Sequence, residues 1–217
     1  MNGRTKTDRE NSLSAEEFVW DTDSLTEVHG YVSTPILSLL KDRKAQRVLD
    51  LGCGNGAFTD MLAQHSFDVS GMDYSLSGID IAKQQYPRVH FEQHDTLTPL
   101  PPDHVGRYDA VTAVEVIEHL LLPRKLLENS LLALKPGGTF IVTTPYHGYL
   151  KNLSLALTNK FDDHWHPLRD FGHVKFFSRA TITQLFLECG FVDVRIQTVG
   201  RIPALARSMI VLGKKPT

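Results

Sequence analysis

Cysteine is scarce in this sequence, and long apolar runs are absent. The 217 residues include two cysteines, Cys53 and Cys189, which excludes a disulfide-rich secreted scaffold and a cysteine-only zinc site within one chain. No apolar run approaches the roughly 20 residues that span a bilayer, and the polar start of the chain lacks the apolar core of a secretory signal. We therefore expect a cytoplasmic protein without a transmembrane segment.

The sequence also lacks an excess of either charge. Lys and Arg total 23 against 25 for Asp and Glu, which gives a net charge of −2 at pH 7. Nucleic-acid binding normally requires clustered cations, so the balance argues against a nucleic-acid partner. The basic stretch 194–217 could make peripheral membrane contact, although such residues near an edge strand more often keep it soluble. The composition, 41% hydrophobic and 22% charged, is that of an ordinary globular domain.

Short β-branched segments alternate with helical periodicity from Arg47 onward. This alternation is typical of an α/β fold with a mostly parallel sheet, and a turn at 200–206 predicts a last antiparallel pair. The predicted strands are 47–52, 68–74, 89–95, 108–114, 139–144, 191–198 and 208–213, and the predicted helices between them are 57–65, 76–86, 123–134 and 178–188.

Two segments fall outside this alternation. Residues 1–45, with predicted helices at 14–20 and 31–42, are expected to form an N-terminal helical cap before a domain at 46–217. Residues 146–172 form an insertion longer than most connections within a compact domain, which is typical of a lid or binding element. Aromatic residues at irregular spacing more often pack, but those of the insertion could line an acceptor pocket: Tyr146, Tyr149, Phe161 and Trp165.

A glycine-rich segment, 52–56, joins the first strand to its helix. Backbone can approach a ligand closely there, although Gly52, Gly54 and Ala57 also satisfy the dinucleotide-binding pattern. Asp50 favours a different ligand, because its carboxylate would repel a pyrophosphate but could accept a hydrogen bond, directly or through water, from an ammonium group. The expected ligand carries an amine and no diphosphate.

Further carboxylates follow at the ends of the next two strands. Asp73 is placed to accept both hydroxyls of a ribose, and Asp95, with Thr96 beside it, could accept from the amino group of adenine. A single acid at a strand end often only caps a turn, but three such acids beside one glycine loop favour a shared ligand. An amino acid joined to a ribose and an adenine describes S-adenosylmethionine (SAM).

The stretches VLDLGCGNG, VSGMDYS and YDAVTAVEVIEHL, within about residues 47–142, resemble the class I SAM-dependent methyltransferases. The resemblance implies a Rossmann-like seven-stranded sheet in the order 3-2-1-4-5-7-6, mostly parallel with strand 7 antiparallel. It also implies a set of cofactor-binding residues: Asp50, Gly52 and Gly54 for the methionine end, Asp73 and Tyr74 for the ribose, Asp95 and Thr96 for the adenine, and Glu115 beside them.

Glu115, Glu118 and His119 directly follow the fourth strand, at a spacing that a helical turn would place on one face. They could bind Mg²⁺ or a related divalent metal, although the helix dipole alone also favours acids in a first turn. With His173, the pattern is similar to that of metal-dependent small-RNA 2′-O-methyltransferases, and the E-x-x-E-H stretch is also similar to that of ubiquinone-biosynthesis O-methyltransferases. The implied ligands are Glu115, Glu118, His119 and His173, with His147, His164 and His166 as rivals for the fourth place.

The leading hypothesis is a SAM-dependent O-methyltransferase that acts on a small-molecule hydroxyl, phenolic or catechol-like, with Glu118 and His119 as catalytic residues. Without a metal, His119 or a histidine of the insertion would be the general base. Two alternatives stay open: a 2′-O-methyltransferase for RNA ends, and a SAM-binding protein without catalysis.

Overall fold

The structure, a computed structural model, describes residues 19–20, 22–165, 168 and 171–217. Among them, the helices are α1 (His29–Asp42), α2 (Ala57–Gln64), α3 (Leu76–Gln85), α4 (Pro123–Ala133), α5 (Tyr149–Leu157), α6 (Phe161–Trp165) and α7 (Arg179–Glu188). The strands are β1 (Arg47–Leu51), β2 (Asp68–Asp73), β3 (His90–Gln93), β4 (Tyr108–Val114), β5 (Leu134–Pro145), β6 (Val192–Val199) and β7 (Ser208–Lys214). Short 3₁₀ helices lie at Pro102–His104, Ile117–His119 and Pro203–Leu205.

The strands form one sheet in the order β3-β2-β1-β4-β5-β7-β6. The neighbouring pairs β3–β2, β2–β1, β1–β4 and β4–β5 are parallel, and β7 is antiparallel to both β5 and β6. The fold class, the strand order and the antiparallel last strand are therefore confirmed. In such a sheet the carboxyl ends of β1 to β5 meet at one edge, which is where α/β proteins bind their ligands.

Alternate residues of the central strands face two separate hydrophobic layers. Leu49 and Leu51 of β1 pack with α4 and α7 on one face, where Phe186 stacks against Phe140 with ring centroids 5.5 Å apart. Val48 points to the other face, where it packs with α1 and α2. This two-sided burial explains why the strands read as nearly continuous apolar runs.

The first helix belongs to the second of these layers. Val32, Ile36 and Leu40 of α1 are fully buried and pack against β1, α2 and β7. Of the predicted helix 14–20, residues 14–18 lie outside the described part, and Val19 and Trp20 are not helical. Within the described residues, no helix combines the length and the apolar character needed to cross a bilayer.

Most predicted element boundaries agree with the structure within one or two residues, and three differences have local causes. β3 ends at Gln93 because Asp95 turns the chain, its carboxylate accepting from the amide of Leu97. β5 starts at Leu134 and not at residue 139, since residues 134–138 continue the ladder beside an irregularity in β4. The insertion 146–172 is not irregular throughout, because it contains α5 and α6.

Phe186 provides a test of the first layer. Its ring is fully buried between Phe140 and Phe191, so Phe186→Ala should lower the free energy of unfolding by about 3–5 kcal/mol. The control is Leu187→Ala, one residue along the same helix at a position 55% exposed, where the change should stay near 0.5 kcal/mol. Equal losses in urea unfolding of the two variants would contradict this packing.

Candidate functional site

The glycine loop begins where β1 ends and is fixed to β2 through its backbone. The amides of Gly52 and Cys53 both donate to the carbonyl of Met72, at 2.7 and 3.0 Å. Gly54 has a φ of 53°, and a Cβ there would lie 2.3 Å from the ring of Trp20, so glycine is required on both counts. The thiol of Cys53 is buried, and burial raises its pKa well above the ordinary value.

Asp50 lies beneath this loop and is almost completely buried. Its two carboxylate oxygens accept hydrogen bonds from the hydroxyls of Thr59 on α2 and Thr112 on β4, each at 2.8 Å. Burial raises the pKa of Asp50 to about 6, although both hydroxyls oppose that shift. The carboxylate therefore links β1, β4 and α2 directly under the backbone that would contact a ligand.

Asp73, at the end of β2, holds the other side of the loop. One carboxylate oxygen accepts from the amide of Gly54 and the other from the amide of Ser75, both at 2.8 Å. Tyr74 beside it is exposed. A carboxylate at the end of this strand is a suitable acceptor for the hydroxyls of a ligand.

Asp95 and Thr96 follow β3 at the same edge of the sheet. Asp95 is exposed, whereas Thr96 is buried and its carbonyl accepts from the side-chain amide of Asn129 at 2.8 Å. The predicted cofactor-binding residues other than Glu115 thus lie at the carboxyl ends of the three neighbouring strands β1, β2 and β3, and Glu115 follows β4.

Glu115 follows β4 in a left-handed conformation, with a φ of 54°. Both its amide, at 3.0 Å, and its carboxylate, at 2.9 Å, bond to the hydroxyl of Thr143 on β5. The predicted helical turn is therefore wrong in detail: Glu115 precedes a 3₁₀ helix, Ile117–His119, and does not share its turn. Such strain in a residue other than glycine is typical of functional sites.

Glu118 is fully buried, and within the described part of the chain neither carboxylate oxygen has a hydrogen-bond partner. Burial raises its pKa well above the ordinary value, and the nearby Glu115 carboxylate adds to the shift. A buried carboxyl group without a partner is costly. A cation between the two carboxylates would remove that cost.

His119 and His173 meet beside Glu118, with ring centroids 4.8 Å apart. The carbonyl of Glu118 accepts from the amides of Val174 and Lys175, both at 2.9 Å, which fixes the end of the insertion against the 3₁₀ helix. The Nδ1 of His119 lies 2.9 Å from the carbonyl oxygen of Phe171. A carbonyl can only accept, so this contact places the proton on Nδ1 and leaves the lone pair on Nε2.

The structure thus brings together three of the four predicted metal ligands. One ligand atom each from Glu118, His119 and His173 lie within 4.8 Å of one another, and Glu115 is outside that set. Of the rivals, His147 and His164 face each other at 5.8 Å between ring centroids, while His166 lies outside the described residues.

Sequence reasoning misses Lys151 and Phe176 in this region, whereas it already names Phe161 and Trp165. Burial, with the charges of Arg201 and Arg207, lowers the pKa of Lys151 to about 8, and Glu115 opposes the shift. No local pattern marks this lysine, because its neighbours come from distant segments.

Aromatic rings also meet beyond β5: Trp165 lies 4.6 Å from Phe161 and 5.0 Å from Phe176, between ring centroids, whereas Tyr149 is 78% exposed.

Comparison with known proteins gives consistent matches. Residues 25–196 match a family described as "Methyltransferase domain". A ubiquinone biosynthesis O-methyltransferase of Coxiella burnetii is 30% identical over 145 residues, which cover 65% of this chain and 61% of that protein. A probable S-adenosylmethionine-dependent methyltransferase of Mycolicibacterium smegmatis is 32% identical over 145 residues, 66% of this chain and 51% of that protein. The chain thus spans little more than half the length of these relatives.

Among solved structures, the apo form of the S-adenosylmethionine-dependent methyltransferase SibL superposes with a TM-score of 0.68. The sequence identity is 24%, and the match covers 86% of this chain and 55% of that chain. This likeness supports the fold.

The raised pKa of Asp50 has a measurable consequence for stability. Because the folded state binds this proton more tightly than the unfolded chain, wild-type stability falls as the pH rises from about 4 to about 6. An asparagine at this position does not titrate. The stability of Asp50→Asn relative to wild type should therefore increase by about 2 kcal/mol between pH 4.5 and about pH 7 and stay level above it. Urea unfolding of both proteins from pH 4.5 to 8 tests this; a difference independent of pH would contradict the assignment.

Proposed function

Because the chain belongs to the methyltransferase-domain family, we propose that it transfers a methyl group from SAM to a hydroxyl oxygen of a small molecule. One observation carries the proposal: the glycine loop with Asp73 and the group of Glu118, His119 and His173 lie at the same edge of the sheet. The first arrangement suits the methyl donor, and the second suits the acceptor.

The donor is proposed to lie over the glycine loop. Gly52 and Gly54 let the methionine part approach the backbone, and the Asp50 carboxylate beneath provides a negative field for the ammonium group. Asp73 and Tyr74 would hold the ribose, and Asp95 and Thr96 the adenine. The sulfonium already activates the methyl group, so the protein mainly positions the donor and acceptor in line.

On the acceptor side, the donor set fits a divalent metal such as Mg²⁺ or Mn²⁺. The unpartnered oxygens of Glu118 and the oriented imidazole of His119 support that fit, and His173 and Glu115 complete the proposed ligands. A bound metal ion would lower the pKa of the acceptor hydroxyl. Glu118 and His119 would orient the acceptor oxygen through the bound metal. Without a metal, His119 would instead be the general base and accept the acceptor proton at Nε2.

The acceptor is proposed to be a phenol with adjacent hydroxyls, such as a catechol. Phe161, Trp165 and Phe176 give an apolar aromatic surface next to His147. The insertion 146–172, together with the N-terminal segment 1–45, is proposed to enclose this acceptor. The relatives named as ubiquinone biosynthesis O-methyltransferases support an oxygen acceptor.

The end of an RNA chain also carries two adjacent hydroxyls, which keeps a 2′-O-methyltransferase as the alternative. The clustering of Glu118, His119 and His173 agrees with that activity as well. The net charge of −2 disfavours it, because each phosphate contact requires a cation. Consumption of SAM with a catechol but not with a short RNA would decide between them, and consumption with neither would favour a binding protein without catalysis.

Two aspartates of β2 provide a matched test of the donor site. Asp73→Ala should weaken binding of S-adenosylhomocysteine by about 1–3 kcal/mol, since it removes the acceptor for the ribose hydroxyls. Asp68→Ala, at the exposed start of the same strand, breaks a surface ion pair with Arg47 and should leave affinity unchanged. Calorimetry that gives the same dissociation constant for Asp73→Ala and wild type would place the ribose elsewhere.

Glu118→Ala tests the acceptor site. Activity with a catechol should fall by roughly 100-fold or more, because the lost carboxylate acts on the acceptor oxygen, whereas the dissociation constant of SAM should change by less than about threefold. The control is Glu128→Ala, an exposed position on α4. Full activity after extensive dialysis against EDTA would refute the metal site but not the methyl transfer. Unchanged activity of Glu118→Ala would refute the roles of Glu118 as metal ligand and as catalytic residue.

A further inference from the structure

A second group of metal-ligating side chains lies at the β3 edge of the sheet. Phe91 of β3 packs under α3 with Cys53 and Ile79. Neighbouring residues of a strand point to opposite faces, so His90 and Glu92 point to the other face. There they meet His104, which belongs to the 3₁₀ helix Pro102–His104. The methyl-transfer proposal uses none of these three side chains.

The three side chains are spaced for one shared ion. Glu92 Oε2 lies 3.1 Å from His104 Nε2 and 3.9 Å from His90 Nε2, and the three ligand atoms are all within 4.8 Å of one another. A tetrahedral zinc ion with bonds of about 2.1 Å separates its ligand atoms by about 3.4 Å. Small side-chain rotations would therefore bring all three atoms into coordination distance.

His104 is held in place for such a role. It is buried, and its Nδ1 lies 2.6 Å from the hydroxyl oxygen of Tyr108, on whose ring it stacks with an interplanar angle of 6°. Without a metal, Nε2 donates to the Glu92 carboxylate at 3.1 Å and Nδ1 accepts from the Tyr108 hydroxyl. A metal ion at Nε2 would take the place of that proton, and Nδ1 would then donate to the Tyr108 oxygen. A hydrogen bond to the second ring nitrogen is the usual support of a histidine ligand.

His94 lies one residue beyond the end of β3. It is 8% exposed, and its Nε2 has no hydrogen-bond partner among the residues that the structure describes. A third imidazole, which is buried and has an unpartnered nitrogen, thus follows the strand that carries His90 and Glu92.

We propose that His90, Glu92 and His104 bind a divalent transition-metal ion, with Zn²⁺ as the chemical match. Two imidazoles and one carboxylate are a typical three-ligand zinc set with a fourth position open to water, whereas Mg²⁺ and Ca²⁺ prefer oxygen ligands. The ion would join the edge strand β3 to the segment before β4. The site is separate from methyl transfer and would stand if that activity were disproved.

The experiment titrates Co²⁺, a spectroscopic substitute for Zn²⁺, into full-length protein that carries Glu118→Ala and His173→Ala. These changes remove the ligands of the other candidate site. We expect one equivalent of Co²⁺ to bind with the visible absorption of a four-coordinate site, to be displaced by Zn²⁺, and to raise the melting temperature. Absence of any bound equivalent in this background would overturn the proposal.

Variants locate the ion. His90→Ala and Glu92→Gln should each weaken Co²⁺ binding at least tenfold. Both change positions outside the core, so the test does not depend on the buried His104, whose replacement could unfold the protein. Tyr108→Phe should weaken binding by about 10–100-fold, because it removes the support of His104. The control is His65→Ala, which changes an exposed histidine directly after α2. Equal affinity in His90→Ala, Glu92→Gln and His65→Ala would refute the site.

Discussion

A single buried carboxylate joins the three elements that build the ligand-binding edge. Asp50 on β1 accepts from Thr112 on the neighbouring strand and from Thr59 on the helix after the glycine loop. These two contacts fix where the strand ends and the helix begins, so the course of the loop follows from them. Asp73 completes the arrangement from β2 through its contact with the amide of Gly54. Burial of the Asp50 carboxylate is unfavourable for its charged form, and this cost appears as its raised pKa.

On the acceptor side, hydrogen bonds of backbone groups join the insertion to the 3₁₀ helix after β4. The carbonyl of Glu118 accepts two amides from the segment after the insertion, and His119 contacts the carbonyl of Phe171. The carboxyl-terminal end of the insertion is therefore fixed beside Glu118. The helix α7 begins soon afterwards with a capping box at Ser178 and Thr181, which anchors the segment to the main domain.

Much of this architecture is encoded locally. Short β-branched runs bounded by Gly, Asp or Pro predict every strand, and the resemblance to class I methyltransferases, which is confirmed, predicts their order. The turn after β4 is different. The spacing of Glu115 and Glu118 predicts a helical turn, yet Glu115 adopts a left-handed conformation because its amide and carboxylate both bond to Thr143. Lys151 and the histidines around Glu92 likewise depend on distant segments, which no local pattern records.

The reactivity of the buried Cys53 thiol reports on opening of the glycine loop. Its side chain lies under the loop, close enough that a Cβ on Gly71 would approach its sulfur to 3.0 Å, and burial keeps it protonated. Only the thiolate reacts readily with alkylating reagents, so modification requires the loop to open. Cys189, which is partly exposed, would react without that step. The difference in alkylation rate between the two thiols would therefore measure how often the loop opens.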